Sequence, residues 1–125
     1  MRILLDTHAI IWYFEHNDKL SQKAEAIIDN PENNIYICTA SLWEIAIKVS
    51  LGKLNISFNG LLDELEKVGF LVLHTENEYL QRLLDLPLIH KDPFDRLIIS
   101  TAIVENMTLI SADENVHKYN VTWIW

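Results

Sequence analysis

A chain of 125 residues, half of them apolar and with only three glycines and three prolines, has the make-up of one packed domain rather than a disordered or fibrous segment. Its formal net charge of −8 argues against a basic surface that coats nucleic acid. It does not exclude a nucleic-acid enzyme whose carboxylates hold metal ions, because such ions reverse the local field.

Cys38 is the sole cysteine, which excludes a disulfide within the chain and predicts a buried, reduced thiol in a cytoplasmic protein. No signal-peptide layout opens the sequence, and no apolar run reaches the length of a membrane span. The segment RILLD (2–6) is apolar without alternation, the pattern of a central parallel strand covered on both faces. THAIIWYFE (7–15) predicts a helical turn or two. After the polar break HND, Leu20–Asp29 predicts a second helix, whose amphipathic stretch Leu20 to Ile28 suits core packing or, as a second use, a groove for a partner segment.

DNPENN is a turn cluster, IYICTA (35–40) a second strand, and Ser41–Leu51 a helix that ends before Gly52. Beyond the loop NISFN, the pattern predicts a helix over Leu61–Val68, a strand at FLVLH (70–74) and a helix over Glu76–Leu84. PLIHK leads into a helix over Pro93–Asn106, with Asp92 as its cap and proline at its first position. TLISA (108–112) is a strand, and VTWIW (121–125) alternates like a final edge strand. Strands separated by helices indicate an α/β fold, a parallel sheet with helices on both faces, in a single domain over 1–125.

In such a sheet, ligands bind beyond the carboxyl ends of the strands. Asp6 ends the first strand, and Asp113 lies just past TLIS. Glu44 falls in the first turn of the helix after IYIC. The helix carrying Asp95 ends where the next strand starts, so its beginning lies back at the carboxyl edge. Four acids distant in sequence thus arrive at one rim.

Each has a plain structural explanation. Glu44 completes a capping box with Ser41 and can pair with Lys48. Asp95 suits a helix dipole and neighbours Arg96; Asp6 and Asp113 can cap the turns after them. Together they ask for more, because carboxylates crowded in a dry site raise one another's pKa. A divalent cation relieves that, and an all-oxygen set suits Mg²⁺ or Mn²⁺, not zinc. Metal-dependent phosphodiester hydrolysis is the chemistry that fits. A phosphatase using Asp6 as nucleophile fits less well, since His8 stands where such enzymes carry a second aspartate. A phosphorylated receiver fits less well too, lacking paired acids after its first strand.

The motifs LLDTHAIIWYF, ASLWEIAIKVSLGKL, HKDPFDRLIISTAIVENMTLISADENV and YNVTWIW, spread over nearly the whole chain, resemble the PIN-domain family, and in particular the VapC-like toxins of toxin–antitoxin modules. The resemblance implies a three-layer α/β/α sandwich around a central, mostly parallel sheet of about five strands. It implies an Mg²⁺- or Mn²⁺-dependent endoribonuclease acting on RNA, a cognate antitoxin that blocks the site, and a homodimer or toxin–antitoxin hetero-oligomer. Carried over by position, the family's acids match Asp6, Glu44, Asp95 and Asp113, as catalytic and metal-holding residues. Thr7 falls where the family often has a small hydroxyl residue near the metal. Asp92 reads first as the helix cap, and Asn106 stands where a glycine is common. A PIN-like module acting by binding alone is the alternative.

Other candidates weigh less. His8 and His90 flank the rim, and the surface or loop reading is preferred for both. Lys48, Lys91 and Arg96 can meet substrate phosphates; Arg96 is the best placed, or it orients Asp95. Trp43 and Trp12 are read as core. Val121, Trp123 and Trp125 share one strand face, read as buried, with a protein contact as the other use.

Overall fold

The computed structural model describes residues 1–125. Strand β1 (Arg2–Leu5) is buried from Ile3 onward because both of its faces are covered. Ile3 and Leu5 join Ile35 and Ile37 of β2 (Asn34–Cys38) in one core, whereas Leu4 joins Leu109 of β4 (Thr108–Ile110) in another. Successive strand residues face opposite sides, so the unbroken apolar run feeds two cores at once.

The first core takes Ile10 from α1 (Thr7–Phe14), Ala24 from α2 (Gln22–Asp29) and Leu65 from α4 (Phe58–Val68). The second takes Ile98, Ile99 and Ala102 from α6 (Pro93–Glu105). Helix α3 (Thr39–Ser50) reaches both, through Ile45 and Ala40 respectively. Helix α5 (Asn77–Leu83) is tied to α6, where the Ser100 hydroxyl donates to the Tyr79 carbonyl. Strand β3 (Leu71–Leu73), the one-turn α7 (Glu114–His117) and β5 (Trp123–Ile124) complete an α/β/α sandwich.

The sheet order is β3-β2-β1-β4-β5, with every neighbouring pair parallel. The chain winds outward from β1 through β2 to β3, then returns to lay β4 on the other side of β1. The direction of winding therefore switches between β1 and β4, and such a switch opens a crevice at the carboxyl ends of the strands. Just there, the Asp6 amide donates to the Ile110 carbonyl at 3.1 Å.

Several expectations change. β2 ends at Cys38, paired with Leu73, and the next residue, Thr39, donates its hydroxyl to the Leu73 carbonyl at 3.1 Å. Thr39 and Ala40, read as strand, instead open α3, with Cys38 in the cap position and no side-chain cap. Ser41 is therefore inside the helix, no capping box forms, and Glu44 lies in the second turn rather than the first. Helix α4 begins inside NISFN, where the Ser57 hydroxyl accepts from the Gly60 amide at 3.0 Å. Helix α7 has no counterpart among the elements expected from sequence.

The tryptophans divide differently too. Trp43 is not core: it is 59% exposed, set edge-on to Phe94 with ring centroids 5.1 Å apart. An α-helix that is apolar nearly all round still turns one side outward, and Trp43 is on it. Trp12 packs partly buried against the first core, as expected. The terminal residues share no single face. Val121 packs on the second core and Trp125 on the first, while Trp123 is exposed and stacks on His117 at 3.4 Å.

Other readings stand. Leu20, Ala24 and Ile28 are buried, and burial pushes the Cys38 thiol up to about 12. Asp92 caps α6, accepting from the Asp95 amide at 2.9 Å, with Pro93 at the first position. That helix ends on Asn106 in the left-handed region (φ 54°, ψ 47°), where asparagine is tolerated better than residues with an ordinary Cβ. Asn106→Ala is expected to cost about 1 kcal/mol in urea unfolding, with Asn106→Gly close to wild type. Equal midpoints for all three proteins would remove strain from the account of this helix end.

Candidate functional site at the carboxyl edge of the sheet

Asp6 leaves β1 at the switch and caps α1, its Oδ1 accepting from the Ala9 amide at 2.8 Å. It is only 5% exposed. Burial first, then the charges of Asp113 and Glu44, push its carboxyl up to about 6, against the opposing Ser111 hydroxyl and Ala9 amide.

Asp113 follows β4 and caps α7, its Oδ1 accepting from the Asn115 amide at 2.8 Å, while its own amide donates to the Ser111 hydroxyl at 3.2 Å. Ser111, wholly buried, thus lies between the two strand-end acids. Sequence reading passed it over, although a hydroxyl two residues before an acid at a strand end is a legible turn signal.

Glu44 is 8% exposed; its Oε2 pairs with Lys48 at 3.1 Å, and its Oε1 is buried without any hydrogen-bond partner. A buried unpaired oxygen costs about 1–3 kcal/mol, so it wants a ligand.

Asp95 lies in the first turn of α6 and meets His90, Oδ2 to Nε2, at 3.2 Å. Burial raises its carboxyl to about 6, with Asp92, Asp113 and Asp6 adding to the shift and His90 opposing it. The charges of Asp113 and Glu44 are thus felt at Asp6, and those of Asp113 and Asp6 at Asp95. No three His, Cys, Asp or Glu side chains are gathered closely enough to bind one ion as a set. Two are turned to their helix caps, one to His90 and one to Lys48.

The four carboxylates are hard oxygen donors of the kind divalent cations take, and one buried oxygen among them, Glu44 Oε1, is unpaired. Thr7 is 2% exposed, and its hydroxyl donates to Ser41 at 3.2 Å, tying α1 to α3. Arg96 does not pair with Asp95; it donates to the Pro87 carbonyl at 2.8 Å and to the Tyr119 hydroxyl at 3.0 Å. His8 is exposed, as read from sequence, and Lys91 is exposed as well. His90 is not a free loop residue: its side chain is 13% exposed and engaged at both ring nitrogens.

Away from the rim, a cleft of about 790 Å³ runs between the end of α1, α2 and α4. Its floor includes Trp12, Phe14, Leu20 and Leu61, and five carboxylates line it: Glu15, Asp18, Glu25, Asp29 and Glu64. No lysine or arginine lines it.

The family model described as PIN domain matches residues 3–121. No curated protein sequence matches the chain. Among solved structures, the chain is similar to VapBC2 from Rickettsia felis bound to a DNA fragment from their promoter, with a TM-score of 0.78 and 21% identity over 100% of this chain and 99% of that one. It is similar to VapBC-1 from nontypeable Haemophilus influenzae, with a TM-score of 0.66 and 18% identity over 99% and 97% of the two chains. A toxin–antitoxin complex from Klebsiella pneumoniae is similar as well, with a TM-score of 0.67 and 17% identity over 98% and 96%. At these identities the likeness is one of fold.

Proposed function

From the premise that this chain belongs to the PIN-domain family, we propose that it is a metal-dependent endoribonuclease, the toxin of a toxin–antitoxin pair. The observation that carries this reading is the unpartnered Oε1 of Glu44 among carboxyls that burial and mutual repulsion push up. Asp6, Glu44, Asp95 and Asp113 would hold Mg²⁺ or Mn²⁺. Such an ion, when bound, polarises a phosphoryl oxygen and makes water a nucleophile at neutral pH. Asp6 and Asp95 would hold the ion as carboxylates, so ion affinity is expected to fall as the pH drops through about 6. Asp6 and Asp113 take their helix-cap bonds at Oδ1 and Glu44 pairs with Lys48 at Oε2, so each would offer its other oxygen, with side-chain movement closing the gap between the acids.

RNA as substrate rests on the likeness of the motifs to VapC-like toxins. The test is purified protein with single-stranded RNA, and with DNA of the same sequence, in Mg²⁺, Mn²⁺ or EDTA. Cleavage of RNA that needs the ion is the expected result. Absence of both cleavage and ion binding would leave the rival, a PIN-like module acting by binding alone, which the separated carboxylates favour.

The antitoxin partner draws support from the complexes that share the fold. The acidic cleft suits a segment with apolar anchors and basic flanks. Glu25→Lys with Glu64→Lys is expected to weaken antitoxin binding about tenfold or more and to flatten its salt dependence. Unchanged affinity in calorimetry would place the partner elsewhere. A homodimer or hetero-oligomer in the cytoplasm completes the proposal.

A further inference from the structure

Tyr119 is 4% exposed, and its hydroxyl gathers four groups. Arg96 Nη1 lies 3.0 Å away and the His90 amide 3.4 Å away, and both can only donate. The phenol oxygen is therefore the acceptor for both, and its own proton must go elsewhere. Two acceptors are in reach, His90 Nδ1 at 2.8 Å and the His90 carbonyl at 3.5 Å. The nearer one takes the proton, which makes Nδ1 an acceptor and leaves the ring's proton on Nε2. That Nε2–H faces Asp95 Oδ2 at 3.2 Å, the one hydrogen bond this carboxylate accepts from the chain.

Arg96 is anchored in turn on the Pro87 carbonyl at 2.8 Å, so the row runs from the loop before α6 through Tyr119 to Asp95. Both terminal side chains are largely shielded, 13% exposed for His90 and 16% for Asp95.

We infer that His90 is a positioning residue for Asp95: as the Nε2–H tautomer set by Tyr119 and Arg96, it holds Oδ2 and leaves Oδ1 free to take a ligand. This rests on the nuclease reading for its purpose, though not for its geometry. A histidine N–H fixed on a ligating carboxylate restricts its rotation, and loss of such an outer partner typically costs 10–100-fold in ion affinity or activity. It also gives Arg96 a role apart from any substrate phosphate, since its Nη1 serves Tyr119.

The test takes the full chain and its His90→Ala, His90→Gln and Tyr119→Phe forms. The ion probe is Mn²⁺ alone, with affinity read from the free-ion EPR signal, beside RNA cleavage at saturating Mn²⁺ and thermal unfolding. His90→Ala is expected to weaken Mn²⁺ binding about 10–100-fold while staying folded. His90→Gln, whose amide N–H can occupy the Nε2 position, is expected to recover most of it; Tyr119→Phe should fall between. A purely structural histidine would shift the unfolding temperature without this order in affinity.

Wild-type Mn²⁺ affinity in His90→Ala would overturn the inference. The tautomer is read separately, on metal-free protein, by long-range ¹H–¹⁵N spectra of the imidazole. A proton on Nε2 with bare Nδ1 supports the inference, and one on Nδ1 overturns it. If the wild type neither binds Mn²⁺ nor cleaves RNA, the nuclease reading falls, and the tautomer spectrum still decides how His90 holds Asp95.

Discussion

Asp6→Asn is expected to lower ion-dependent RNA cleavage by more than about 100-fold, beyond what loss of an outer partner usually costs, while the protein stays folded. Asparagine caps a helix as well as aspartate does, so the bond from the Ala9 amide can survive. The charge cannot. Asp6 is the most buried of the four acids, and it feels the charges of both Asp113 and Glu44. The measurement is the initial rate of cleavage at saturating Mn²⁺, set beside growth of cells expressing each form. Cleavage within about threefold of wild type, with toxicity intact, would reduce Asp6 to a helix cap and remove the rim from catalysis. Asp95→Asn is expected to behave alike, with the bond from His90 retained on the amide oxygen.

The second large effect is on stability against pH. Folded Asp6 keeps its proton up to about 6, whereas an ordinary aspartate releases it near 3.8. Between those values the folded state binds more protons than the unfolded state, so stability falls as pH rises through the window. Two pKa units amount to about 3 kcal/mol for this one group. Asp95 acts in the same direction. The metal-free protein is therefore expected to resist urea best at about pH 4 to 5 and to lose ground up to about pH 7.

A divalent ion at about 100 times its Kd should return about 2.7 kcal/mol at pH 7, and Asp6→Asn should flatten the profile without any ion. Urea melts across this range, in EDTA for the metal-free profiles and with the ion in excess at pH 7, check all three. A wild-type curve that rises steadily from pH 4 to pH 7 would mean that Asp6 is stabilised as a carboxylate, against the burial that surrounds it.

Much of the fold is legible in the chain alone. The unbroken run RILL could only be a strand covered twice, and Ile3, Leu4 and Leu5 are indeed divided between two cores. Asp92 and Pro93 mark the start of α6 through chemistry that acts within one turn. The strand-end acids Asp6 and Asp113 come from the same local logic, since each closes a run of β-prone residues.

The errors arise where a local signal has two meanings. Thr39 and Ala40 suit strand or helix, and the deciding feature is the end of pairing with β3 at Leu73, 34 residues away from Thr39 along the chain. Trp43 looks like core by residue type, yet which side of α3 is covered depends on the helices beside it.

What the sequence by itself determined was every element but α7, the two-faced burial of β1 and the edge at which the acids arrive, because periodicity, caps and strand ends act over a few residues. The tertiary structure alone decided the strand order that puts the switch between β1 and β4, the depth of Glu44 in α3, and the row from Pro87 through Arg96, Tyr119 and His90 to Asp95. Tyr119 lies 29 residues from His90. No local pattern carries that distance, since the hydrogen bond exists only once α6 and α7 are packed on the same face of the sheet.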